Sequence, residues 1–110
     1  MSPHDVDRVK WAQMTIFEQM GNIYSEVGRS LAAHRAGDQV RFEQALIRAL
    51  DLFDATTECL IRETPFRAKE ILRAKDQYLQ LFFGDSTDSM AAASLERYFF
   101  NFALAARRHR

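Results

Sequence analysis

Residues 15–37 read TIFEQMGNIYSEVGRSLAAHRAG, and this stretch carries the signals of one complete helix. Thr15 and Glu18 have the spacing of a capping box, in which each side chain accepts a hydrogen bond from the other residue's backbone amide. Apolar residues then recur at three- and four-residue spacing as far as Leu31. Gly37 is placed to end the helix in a left-handed conformation. We therefore predict a long amphipathic helix that begins near Thr15.

Similar signals predict three more long helices. Asp38 is placed to cap the second, which carries a clean apolar face from Phe42 onwards. Thr64-Pro65 is typical of a cap followed by proline at the first helical position. Asp88 and Ser89 are capping candidates for the last helix, which begins near Met90. We expect helices over residues 15–36, 38–62, 65–83 and 89–108.

The joints between these helices are short, and no stretch shows the alternation typical of a strand. Short joints favour antiparallel packing of helices that are neighbours in sequence. The chain has 110 residues and 47% hydrophobic content, which suits a single core. We predict an all-α, single-domain protein with an up-down-up-down four-helix bundle. Upstream, residues 2–5 are expected to cap a short helical turn that ends near Trp11 and docks as a lid.

The balanced charge of the chain provides no overall attraction for several classes of partner. Fifteen basic and fifteen acidic residues cancel, so no overall field attracts nucleic acid or an anionic membrane. The start of the chain lacks the pattern of a signal peptide, a single cysteine cannot form an internal disulfide, and charges interrupt every helix. We expect a cytoplasmic protein without membrane contact. The basic tail with Arg107, Arg108 and Arg110 typically complements a helix end, while contact with nucleic acid stays open as an alternative.

Four small residues form a row along the first long helix: Gly21, Ser25, Gly28 and Ala32. Each glycine costs about 1 kcal/mol relative to alanine inside a helix. The row therefore suggests that another backbone lies close against it. Two alternatives explain this: neighbouring helices of the same chain cover the row, or a partner does.

The last helix carries apolar residues on two sides. Its main apolar face consists of Leu95, Phe99, Phe102 and Ala106. Phe100 and Leu104 project to the far side, and two large apolar groups on an outer face indicate an interface. We predict a homodimer through this helix, with the first long helix as a further candidate for the interface; another protein is an alternative partner. The competing interpretation is that the N-terminal segment with Trp11 or Met14 folds over both residues.

Lys75 lies in the middle of an otherwise apolar arc of the third helix. A charged ammonium there is costly unless it is paired or led out to water. One interpretation is a reactive lysine in a ligand pocket. The other, which we favour, is an ion pair with Asp51 or Asp54 on the second helix.

Other chemistry finds little support in the sequence. His4, His34 and His109 are far apart, and no Glu-x-x-His pair suggests a metal site. There is no glycine-rich phosphate loop and no Ser/His/Asp arrangement. We therefore predict no metal, no cofactor and no catalytic residue, and favour a non-enzymatic interaction or scaffold protein.

One short segment suggests an alternative function. Arg29-Ser-Leu-Ala-Ala-His34 resembles the Arg-x4-6-His motif of the HEPN family of helical ribonucleases and toxins. That resemblance implies RNA cleavage at a dimer interface, with phosphate binding by Arg29 and proton transfer by His34. On a regular helix the two side chains lie about 140° apart. The competing interpretation is a surface ion pair for Arg29 and a helix-dipole contact for His34.

Over most of its length the chain also resembles a group of small prokaryotic helical proteins of no known activity. The likeness is carried by residues 15–29, with Glu18-Gln19 and Ser25-Glu26-Val27, and by residues 98–107. It implies a helical fold and a prokaryotic origin.

Overall fold

The structure, a computed structural model, describes residues 6–83 and 89–108. Within these residues all regular structure is helical and no strand occurs. The helices are α1 (Arg8–Ala12), α2 (Ile16–Arg35), α3 (Gln39–Glu63), α4 (Pro65–Phe83) and α5 (Ser89–Arg108). The all-α prediction is confirmed, and each long helix begins and ends within one residue of its expected position.

The helix ends follow the local sequence signals. Thr15 Oγ1 accepts from the Glu18 amide at 3.1 Å, and Glu18 Oε1 accepts from the Thr15 amide at 3.0 Å, so the capping box is formed. Gly37 has a φ of 72°, the left-handed conformation that only glycine adopts without strain. Asp38 Oδ1 then accepts from the Arg41 amide at 3.1 Å and caps α3.

The short helix α1 begins with a cap that the sequence analysis did not select. The expected cap on residues 2–5 lies outside the described residues. Asp7 is the N-cap, and its Oδ1 accepts from the amides of Val9 at 3.0 Å and Lys10 at 3.3 Å. Because α1 has a single turn, it depends on contacts with other helices for its stability.

Two side chains attach α1 to α3. Trp11 is buried, and its indole Nε1 donates to Thr56 Oγ1 at 2.9 Å. Arg8 donates to Asp51 and to Glu58, each at 3.0 Å. Burial by itself lowers the pKa of Arg8, but the two carboxylates outweigh it, so the pKa is raised above its usual range. The short helix therefore docks against α3, and Gln19 of α2 also donates to the Trp11 carbonyl at 2.9 Å.

The core lies where α3, α4 and α5 meet α2. Helix α2 packs most extensively against α3 and α5, and α3 also packs against α4, whereas α4 touches α5 only lightly. One ring from each of three helices forms the centre: Phe53 lies 5.7 Å from Tyr78 and 5.6 Å from Phe99, between ring centroids. The aliphatic side chains of α2 beneath them are fully buried: Met20, Ile23 and Val27.

One polar pair lies inside this core. Ser30 Oγ donates to the Val27 carbonyl at 2.8 Å, and it shares a 2.6 Å hydrogen bond with the Tyr78 hydroxyl in which either oxygen is able to donate. Burial, partly offset by this hydrogen bond, raises the pKa of Tyr78 to about 12. The buried hydroxyl is therefore satisfied while it keeps its proton.

Candidate functional site

The row of small residues on α2 is accessible to solvent at each of its four positions in the described part of the chain. Ser25 and Ala32 are exposed, and Gly21 and Gly28 are partly exposed. A Cβ added at Gly28 would meet no atom within 4 Å, apart from the backbone of its own helix. Of the two alternatives, close packing by helices of the same chain is therefore not found at Gly28 among the described residues. At this position α2 leaves room for another backbone.

Phe100 lies beside this row. It is 43% exposed, and its ring centroid lies 5.8 Å from that of Tyr24 on α2. Leu104, one turn later on α5, is partly buried. Neither of the N-terminal residues considered as a cover lies over Phe100, because Trp11 is buried against Thr56 on α3 and Met14 lines a cavity with Gln19 and Cys59. The α2–α5 face, as we call it, consists of Gly21, Tyr24, Ser25, Gly28, Ala32, Phe100 and Leu104.

A second group of exposed apolar side chains lies on α3 and α4. Phe66 is 87% exposed at the start of α4, and several other large apolar residues are about half exposed or more. They are Ile47, Ile61, Leu72 and Phe83. These residues lie on the sides of their helices that do not face the core. They were not predicted from the sequence to form a surface.

Lys75 has an ionic partner. Its Nζ lies 2.7 Å from Asp54 Oδ1 on α3, and both side chains keep contact with solvent. Asp51, the other carboxylate considered, binds Arg8 of α1 instead. The ammonium is thus paired and led to the surface.

The two residues of the HEPN-like motif lie in different surroundings. Arg29 Nη1 donates to Glu26 Oε1 at 2.7 Å. The ring centroid of His34 lies 5.2 Å from that of Phe42 and 5.1 Å from that of Phe82. The chain does not bring the two side chains together, and RNA cleavage stays a prediction. Arg107, Arg108 and Arg110 have no described side chains.

A groove of about 580 Å³ lies between α2 and α3. Three arginines line it: Arg29 on α2, with Arg41 and Arg48 on α3. Glu26 is buried beside them and binds two of the three, because its Oε1 accepts from Arg29 at 2.7 Å and its Oε2 from Arg48 at 3.2 Å. The apolar part of the lining, which we call the alanine floor, consists of Ala32, Ala33, Ala36 and Ala45.

This groove was not predicted from the sequence, although the spacing of polar residues on α3 gives a partial signal for it. Arg41, Gln44 and Arg48 recur at three- and four-residue spacing on the polar side of α3. Alone, that pattern is typical of a solvated helix face. Only the packing of α2 against α3 brings Arg29 to the same place.

Two smaller cavities are lined by residues that carry a buried polar atom without a partner in the described structure. One, of about 340 Å³ between α4 and α5, is lined in part by Tyr98, whose hydroxyl is buried and unpaired. Burial raises the pKa of Tyr98, Glu70 adds to the effect, and Arg67 opposes it. The other, of about 230 Å³, contains Cys59 and Gln19, whose Oε1 has no partner.

No group of three histidine, cysteine, aspartate or glutamate side chains within residues 6–83 and 89–108 is arranged to hold a metal ion. Among the helices of this described part, none is both long and apolar enough to cross a bilayer.

Comparison of the chain with protein-family models, with curated proteins and with solved structures found no match. The resemblances to small prokaryotic helical proteins and to the HEPN motif therefore stay predictions.

Proposed function

We propose that this protein is a non-enzymatic interaction protein of the cytoplasm that pairs with a second copy of itself through the α2–α5 face. In this proposal α2 to α5 form an up-down-up-down four-helix bundle, and two bundles meet side by side. The observation that carries the proposal is Phe100, a 43% exposed aromatic ring that borders an open row of small residues.

The physical argument combines shape with burial. Helix α2 has 20 residues, so the row extends along a helix of about 30 Å. Small side chains let a partner helix approach closely, which increases van der Waals contact along the whole length. A phenylalanine at the edge of such a surface supplies the buried apolar area that anchors an interface.

The surroundings of the face suit a pair of identical copies. A two-fold dimer uses the same patch twice, so the patch must complement itself. Phe100 and Tyr24 provide large side chains, and the small residues beside them leave the space that the same side chains of the second copy would fill. An ion pair between Arg35 and Glu96, at 3.5 Å, joins α2 to α5 and supplies the polar rim typical of interfaces.

Phe100→Glu is expected to weaken the dimer so that the monomer predominates at micromolar concentration, because two carboxylates would be buried at the interface without partners. We expect the dimer dissociation constant to rise at least about thirtyfold, the size of a typical hot-spot loss. Size-exclusion chromatography with light scattering at micromolar concentration measures it.

Phe66→Glu is the matched control, since it places the same charge at an 87% exposed phenylalanine of α4. This variant should remain dimeric. A monomeric wild-type protein would contradict the proposal. Dissociation by Phe66→Glu, with Phe100→Glu still dimeric, would move the interface to the exposed apolar residues of α4.

Gly28→Ala separates helix stability from association. In the monomeric Phe100→Glu background we expect it to raise the free energy of unfolding by about 0.5–1 kcal/mol, because the methyl enters open space in a helix. In the otherwise wild-type chain it should weaken the dimer. Urea unfolding and light scattering measure the two effects.

Gly37→Ala is expected to lower the free energy of unfolding in the same Phe100→Glu background. A Cβ added at Gly37 also meets nothing within 4 Å, but the φ of 72° makes alanine unfavourable at this position by about 1–2 kcal/mol. Equal effects at the two glycines would show that backbone conformation does not decide the outcome. A dimer unaffected by Gly28→Ala would remove the row from the interface.

A further inference from the structure

We propose that the groove between α2 and α3 binds a small phosphorylated molecule with a flat apolar part, of the nucleotide class. Its volume of about 580 Å³ lies in the range typical of small-molecule sites. The groove adjoins the α2–α5 face at Ala32, but its arginines lie where α2 meets α3.

The charge of the groove favours an anion. Three guanidinium groups face two carboxylates, Glu26 and Asp38, which leaves one net positive charge. The cap at Asp38 also places the positive end of a 25-residue helix beside the groove. A negatively charged ligand would thus be attracted both by the net positive charge of the side chains and by the helix dipole.

The arginines keep donors for a ligand. A guanidinium has five N–H groups. In the contacts of the groove Arg29 uses Nη1, Arg48 uses Nε, and Arg41 approaches Asp38 through Nε at 3.5 Å. The remaining N–H groups match the paired oxygens of a phosphate, which arginine binds in a bidentate manner.

Glu26 is the positioning residue of this site. Because it is buried and binds Arg29 and Arg48 with its two oxygens, it holds two like charges at one point. Without a common carboxylate these long side chains would repel each other and spread over the surface. Their arrangement is therefore fixed before a ligand arrives, which lowers the entropic cost of binding.

The alanine floor accounts for the apolar part of the ligand. Ala32 and Ala36 expose methyl groups, and the buried Ala33 and Ala45 complete the lining, so the surface between the arginines is apolar and uncharged. A planar ring can lie on such a surface while its phosphates reach the guanidinium groups. A simple inorganic anion would leave this area uncovered.

Isothermal titration calorimetry of the full chain with ATP, adenosine and inorganic triphosphate tests the proposal. We expect ATP to bind more tightly than either of the other two probes. Arg41→Gln should weaken ATP binding at least about tenfold, because it removes charge-assisted hydrogen bonds. Arg41 has an 81% exposed side chain, so this variant should fold normally.

Arg73→Gln is the matched control, since it removes the same charge from an exposed position on α4 outside the groove. It should change ATP binding by less than about twofold, since exposed charges at a distance are screened. A Glu26→Gln variant that binds ATP more weakly, despite its lower negative charge, would support the positioning role.

Three results would overturn the proposal: no heat of binding with millimolar ATP, equal effects of Arg41→Gln and Arg73→Gln, or triphosphate binding as tightly as ATP. A single-stranded RNA oligonucleotide is the last probe to be titrated. Tighter binding of RNA than of ATP, with the same loss in Arg41→Gln, would assign the groove to a polynucleotide instead.

Discussion

Phe53→Ala is expected to lower the free energy of unfolding by about 3–5 kcal/mol, the range for deleting a buried aromatic ring. Phe53 is fully buried on α3 and contacts Tyr78 of α4 and Phe99 of α5. Its removal leaves a cavity at the point where three helices meet over α2. Urea unfolding followed by circular dichroism measures the change.

Phe53→Leu keeps the result interpretable if the alanine variant does not fold. It retains most of the volume and should cost less than about 1.5 kcal/mol. Phe66→Ala is the control for loss of a ring at an 87% exposed position, where we expect a change within about 0.5 kcal/mol. Similar losses at Phe53 and Phe66 would contradict this description of the core.

The stability of the protein is expected to fall between pH 10 and pH 12 because of Tyr78. Burial raises the pKa of this hydroxyl from 10.0 to about 12. In that interval the unfolded chain releases the proton while the folded chain still holds it, so rising pH favours unfolding. Once the pH exceeds the folded-state pKa, this difference corresponds to a loss of about 3 kcal/mol in the free energy of unfolding.

Tyr78→Phe isolates this contribution from the other groups that titrate at high pH. Near pH 8 the variant should be less stable by about 1 kcal/mol, because it loses the hydrogen bond to Ser30. Above pH 12 that order should reverse, since only the wild-type protein carries the penalty. Urea unfolding at several pH values measures both curves; parallel curves would contradict the assignment to Tyr78.

Local signals predicted the helix ends well, because capping depends on residues that are close in sequence. Thr15 with Glu18 and the left-handed Gly37 needed no tertiary information. The start of α1 was harder to predict. Several residues before Trp11 are able to cap a helix, and a single turn has too little periodicity to select Asp7.

Features that depend on packing were predicted only in part. Lys75 was expected to pair with Asp51 or Asp54, and nothing in the sequence chooses between them. In the structure α1 decides between them, because Arg8 forms an ion pair with Asp51 and Lys75 forms one with Asp54. Similarly, the groove depends on α2 and α3 packing so that a single carboxylate, Glu26, meets an arginine from each helix.

The attachment of α1 has a spectroscopic consequence. Trp11 is the only tryptophan of the chain, and its indole lies at the contact between the shortest helix and α3. Intrinsic fluorescence therefore reports on the environment of one amino-terminal turn, while the far-ultraviolet signal reports on the four long helices. Detachment of that turn and melting of the remainder are thus separately visible in an unlabelled sample.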